Sequence, residues 1–126
     1  MDYFRIRRVS TGYKFDLRSA NGEVIATSEV FKSEAACRKS IASVRRNAPV
    51  AYLADLTLEE ICPNPRFEVY LDRSGQYRFR LRSRNGNIIA ASENYTAKSN
   101  CLDGIDAVRR YATCQEDEIP CPESNP

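Results

Sequence analysis

The chain has 126 residues, of which 42% are apolar and 29% charged, with a formal net charge of +2. That length suits one domain able to bury a core, and the composition excludes both a disordered and a membrane-spanning chain. There is no histidine, which removes the usual general base near neutral pH and the commonest metal ligand.

Residues 1–8 lack the apolar stretch of a signal peptide, and no later run approaches the length of a bilayer span, so the chain reads as cytoplasmic. Phe4 and Ile6 alternate with Arg5 and Arg7, the period of a half-buried strand. After a turn at 10–12, Tyr13, Phe15 and Leu17 form the apolar side of a second strand. Asn21-Gly22 then reads as a two-residue type I′ hairpin, which needs positive φ at both residues, and a third strand follows over about 23–29. Cys37, Ile41, Val44 and Ala48 recur at helical spacing. Ser33 is the expected N-cap with Glu34 in the first turn, and Arg45 and Arg46 suit the C-terminal dipole. Pro49 stops the helix, 51–55 suits a short fourth strand, and 58–65 is a proline-containing connector.

The same pattern then returns. Residues 13–48 align without a gap on 77–112, with 17 of 36 positions identical. Phe67, Val69 and Leu71 alternate in an opening strand; Tyr77, Phe79 and Leu81 repeat the second, Asn85-Gly86 the hairpin, and Cys101, Ile105, Val108 and Ala112 the helical stripe. Gln76 is one extra residue in the turn after 73–75. A short unit that cannot bury its apolar face alone can do so against its copy. The expected organisation is therefore a single domain, 1–126, with repeat 1 over 3–57, connector 58–65, repeat 2 over 66–112 and tail 113–126. The tail carries four acids, no base and three prolines, and is expected to be mobile.

Gly75-Gln76-Tyr77-Arg78-Phe79-Arg80-Leu81, the run Asn85 to Glu93, Tyr95, Gly104-Ile105 and Val108 closely resemble the YegP-like family, also called DUF1508, and both copies match. The resemblance implies an α+β fold of two tandem β(3)-α-β repeats, forming one antiparallel-rich sheet with two helices on one face and exchanged C-terminal strands. It also implies an alanine and an aspartate in the exchanged strand, met by Ala51 and Asp55, whereas 114–118 departs from that pattern. Because the family has no established activity, the resemblance assigns no cofactor, ligand or partner.

The residues point away from catalysis. Five cysteines at irregular spacing suggest neither a full disulfide set nor a paired metal site. Cys37 and Cys101 lie on the apolar stripes, where a thiol acts as a small hydrophobe; a reactive thiol early in a helix is the rival reading. Cys62, Cys114 and Cys121 stand in proline-rich segments suited to a disulfide or to oxidation rather than to a metal. Ser28-Glu29 and Ser92-Glu93 could be read as hydroxyl and carboxylate awaiting a substrate. The hairpin register instead places Lys14 opposite Glu29 and Arg78 opposite Glu93 as cross-strand ion pairs.

Arg78, Arg80, Arg82 and Arg84 alternate with the apolar residues of their strand, so four guanidinium groups are expected on one sheet face, with Arg18, Arg5, Arg7 and Lys14 on the matching part of the other copy. With the ring of Tyr70, this ladder is a candidate surface for RNA, DNA or another anion. Arg80 and Arg82 fall opposite Ala91 and Ile89 and lack an acid on that neighbour, although Glu68 and Asp72 on the other strand could neutralise them. The bland alternative is a salt-bridged, solvated face, since eight bases meet six acids there. The reading is a small non-catalytic binding or interaction module, monomeric because the two units already supply each other's partner.

Overall fold

The computed structural model describes residues 3–113. The chain runs β1 (Phe4–Val9), β2 (Gly12–Arg18), β3 (Val24–Thr27), α1 (Glu34–Asn47), a short 3-10 turn, β4 (Tyr52–Asp55), a second 3-10 turn, β5 (Arg66–Leu71), β6 (Tyr77–Arg82), β7 (Ile88–Ala91) and α2 (Lys98–Ala112). The seven strands form one sheet in the order β1-β2-β3-β7-β6-β5-β4, so this is a mixed α+β fold with two helices. Neighbours are antiparallel except β4, which leaves the first meander to run parallel to β5 at the far edge. The segment 114–126, including most of the expected tail, lies outside the described residues.

Alternation decides which face is covered. Phe4, Phe15, Leu17, Phe67, Val69, Phe79 and Leu81 point to the side where Cys37, Ile41, Val44, Cys101, Ile105 and Val108 bring down the two helices, and all of these are buried. Gly104 allows the closest approach of α2: a Cβ there would sit 2.6 Å from Tyr95 Oη and 2.9 Å from Phe79. The Ser33 hydroxyl caps α1 by accepting from Ala36 N at 3.1 Å. The helices also finish one another: Arg109 Nη1 donates to the Ala48 carbonyl at 2.8 Å and Arg45 Nη1 to the Ala112 carbonyl at 3.3 Å, each cation serving the other helix's C-terminal carbonyls.

The hairpins differ from expectation. Of Asn21 and Gly22, Gly22 alone has positive φ, Gly22 N donates to Ser19 O, and Ser19 N donates to Glu23 O. This is a three-residue loop: a type I turn closed by a left-handed glycine, in place of the type I′ turn. Residues 83–87 repeat it, and the extra residue shifts the pairing between Leu17 and Arg18 and between Leu81 and Arg82. Arg80 therefore stands opposite Ala91 as expected, but Arg82 opposite Ile88 instead of Ile89.

Candidate functional site

On the sheet face without helices, β5 carries Arg66, Glu68 and Tyr70 at alternate positions, against Arg82, Arg80 and Arg78 of β6. Arg66 directly opposite Arg82 is a like-charge pair, unfavourable unless an acid lies between them. Glu68 is that acid. Its carboxylate accepts from Arg80 Nε at 2.6 Å, Arg66 Nε at 2.7 Å and Arg82 Nε at 2.9 Å, and its side chain is 3% exposed. Burial alone pushes the carboxyl upward, but the three guanidinium hydrogen bonds outweigh it and hold the group at about 2.

Three cations on one carboxylate leave a local excess of positive charge. Each guanidinium uses Nε on Glu68, and the three side chains remain about one quarter exposed. Arg66 Nη1 and Arg82 Nη1 are tied to the carbonyls of Cys62 and Gly86, while Arg80 lies 4.4 Å over the Tyr70 ring. What faces solvent is thus a set of fixed guanidinium edges beside an aromatic ring, a pattern suited to carboxylate or phosphate oxygens.

The other ladder residues separate from this cluster. Arg78 binds Asp72 at 2.8 Å, not Glu93, and Asp72 is held well below its ordinary range by Ser74 and Arg78. No Lys14–Glu29 or Arg78–Glu93 ion pair forms among the described residues, because both strands irregularly leave the simple register near Ser28 and Ser92. Those two hydroxyls are structural instead: each accepts from a strand amide, Phe15 N or Phe79 N, at 2.9 Å and donates to the next carbonyl. Arg84 is not on the ladder at all, since β6 ends at Arg82 and Arg84 falls in the turn. Arg7 pairs with Asp16 at 2.8 Å, Arg5 stands opposite Asp16 but is exposed, and Arg18 Nε is buried with no hydrogen-bond partner among the described residues. Arg66 was not among the expected residues; the signal was the alternation of Arg66, Glu68 and Tyr70, one residue before the expected strand start.

The thiols offer little chemistry. Cys37 and Cys101 are fully buried; burial raises both thiols, Cys101 to about 11, which opposes thiolate formation near neutral pH. Asp55 accepts from Lys98 Nζ and Thr57 N, fastening the end of β4 to α2. Among the described residues no cluster of cysteine and carboxylate ligands could hold a metal, and no helix is long and apolar enough to cross a membrane.

Comparison with known proteins finds the same fold. The family described as "Domain of unknown function (DUF1508)" matches residues 9–55 and 72–116. A UPF0339 protein of Pseudomonas aeruginosa is 30% identical over 108 residues, 85% of this chain and 86% of that one. The solution NMR structure of the protein yegP from E. coli, 32% identical, superposes with a TM-score of 0.72 over 90% of this chain and 87% of that one. A UPF0339 protein of Methanosarcina acetivorans is 55% identical over 47 residues, which are 37% of this chain but 81% of that protein.

Proposed function

The chain belongs to the DUF1508 family, whose description carries no activity, and we propose that it is a non-catalytic binding module that meets an anionic partner with the open face of its sheet. One observation carries the reading: Arg66, Arg80 and Arg82 are held around a single buried carboxylate with their outer edges exposed beside Tyr70. A preformed array of this kind loses little side-chain entropy when it receives an oxyanion. The buried, upshifted thiols weigh against the cysteine-enzyme alternative. We also read the chain as two β(3)-α-β units that exchange last strands within a cytoplasmic monomer. The parallel placement of β4 beside β5 and the Methanosarcina relative of about one unit's length support the unit reading.

The test titrates fluorescent single-stranded RNA and an acidic peptide into the wild type and Arg80→Ala/Arg82→Ala at low and high salt. Binding is expected to weaken steeply with salt and further in the double variant. Which probe binds identifies the partner class. If neither binds at low salt, or the variant binds as well as wild type, the face is a solvated surface and the reading fails.

A further inference from the structure

On the helix side, the last turn of α1 and the β6–β7 turn form a cleft of about 470 Å3 lined by Ser43, Arg46, Asn47, Ser83, Arg84 and Asn85. A sister cleft of about 480 Å3 lies between the end of α2 and the β2–β3 turn. The two are equivalent in sequence: Arg46 corresponds to Arg110, Ser83 to Ser19 and Asn85 to Asn21. They differ in chemistry. Where the first has Ser43, Asn47 and Arg84, the second copy has Ala107, Tyr111 and Ala20, and the sister cleft adds the acids Glu23 and Asp103. Of the two, the α1 cleft alone is lined, among the described residues, by two arginines and no carboxylate.

We propose that the α1 cleft binds the phosphoryl group of a small phosphorylated molecule. Arg46 and Arg84 are exposed and make no ion pair among the described residues, so neither has to leave a carboxylate to accept a ligand. Two such guanidinium groups in one cleft match the oxygens of a phosphate. The uncharged groups are oriented to help. Asn85 Oδ1 accepts from the Ser83 hydroxyl, which leaves the Asn85 amino group as a donor. Buried Asn47 donates through Nδ2 to the Ser43 carbonyl and hydroxyl, leaving the Ser43 proton to donate and Asn47 Oδ1 to accept. That one acceptor among donors suits a hydroxyl, whether of a protonated phosphate or of the molecule that bears it. The volume lies within the range of about 300–1,000 Å3 usual for small-molecule sites.

The test is a calorimetric or NMR titration of the whole chain at low salt with inorganic phosphate, AMP and glucose 6-phosphate, and with glucose as the uncharged control. The phosphorylated probes are expected to bind and glucose is not. Arg46→Ala and Arg84→Ala should each weaken binding at least about tenfold, the loss of a charge-assisted hydrogen bond. Arg110→Ala in the sister cleft should leave binding unchanged, and the losses caused by Arg46→Ala and Arg84→Ala should persist undiminished in an Arg80→Ala/Arg82→Ala background, which separates this site from the face proposed above. Equal binding of phosphate and the esters identifies the free ion as sufficient; tighter esters identify the attached group as part of the ligand. The proposal is overturned if no phosphorylated probe binds at millimolar concentration, or if the folded Arg46→Ala and Arg84→Ala variants bind as the wild type does.

Discussion

Arg5 faces Asp16 across β1 and β2, and at the equivalent place in the second meander Glu68 faces Arg80 across β5 and β6, with the charges exchanged between strands. Both acids are buried, at 4% and 2% exposure, on a face no helix covers. The strand that carries the acid decides what reaches it. Asp16, on the middle strand, takes Arg7 from one neighbour and the Thr27 hydroxyl from the other, leaving Arg5 in solvent. Glu68, with a longer side chain, gathers one arginine from its own strand and two from β6. The first meander thus carries a dispersed pair and the second a concentrated cationic site, on one backbone plan.

The largest test asks whether the helices treat the two halves alike. Ile105→Ala is expected to destabilise by about 2–5 kcal/mol, from lost burial and the cavity left behind, and Ile41→Ala by a similar amount. Chemical denaturation measures both; a change near zero for either would show that its helical stripe does not carry the core.

The next test sharpens the contrast of the acids. Glu68→Gln should cost about 3 kcal/mol, since it leaves partly buried guanidinium groups without a counter-charge, whereas Asp16→Asn should cost less because Arg7 is half exposed. The pH dependence has the same origin. A carboxyl lowered from 4.5 to about 2 stabilises the fold fully above about pH 4.5, and this is lost as pH falls toward 2. Thermal melts of Glu68→Gln should lose part of that acid slope. If Asp16→Asn is the more damaging variant, the two sites are not organised as described.

The smallest effect lies under the helices, where Gly104 corresponds to Ser40. Gly104→Ala should cost about 1–3 kcal/mol by crowding Tyr95 and Phe79, and Ser40→Ala well under that. Equal melting temperatures for the two variants would show that α2 has room to shift.

Much of the fold was legible because its signals are local. Alternation at Phe4, Phe15 and Phe79 marked strands, the Cys37 and Cys101 stripes marked helices, and Ser33 marked an N-cap. The site was less legible, since it depends on register across strands. Asn-Gly suits two loop geometries, and the three-residue one moved Arg82 from Ile89 to Ile88 and took Arg84 off the ladder. Glu68 as a neutralising acid was visible as an alternative; Arg66 as its third partner was not, because the strand begins one residue earlier than its apolar residues indicate.

The two meanders meet at one residue pair, Thr27 with Ala91. So short a seam adds little, and the halves are joined elsewhere: β4 of the first half pairs with β5 of the second over Tyr52–Asp55, α1 reaches β7, and α2 reaches β2 and β3. Between the two segments that match the family, this arrangement divides the differences unequally. Cys37, Ile41, Val44 and Ala48 are matched without exception by Cys101, Ile105, Val108 and Ala112, for a change in either stripe loosens a joint both copies share. Open-face residues lie outside that joint, and there Asp16 and Arg80 have diverged to opposite charge. The charge of the open face can therefore differ between the halves without loosening the joint that holds the fold.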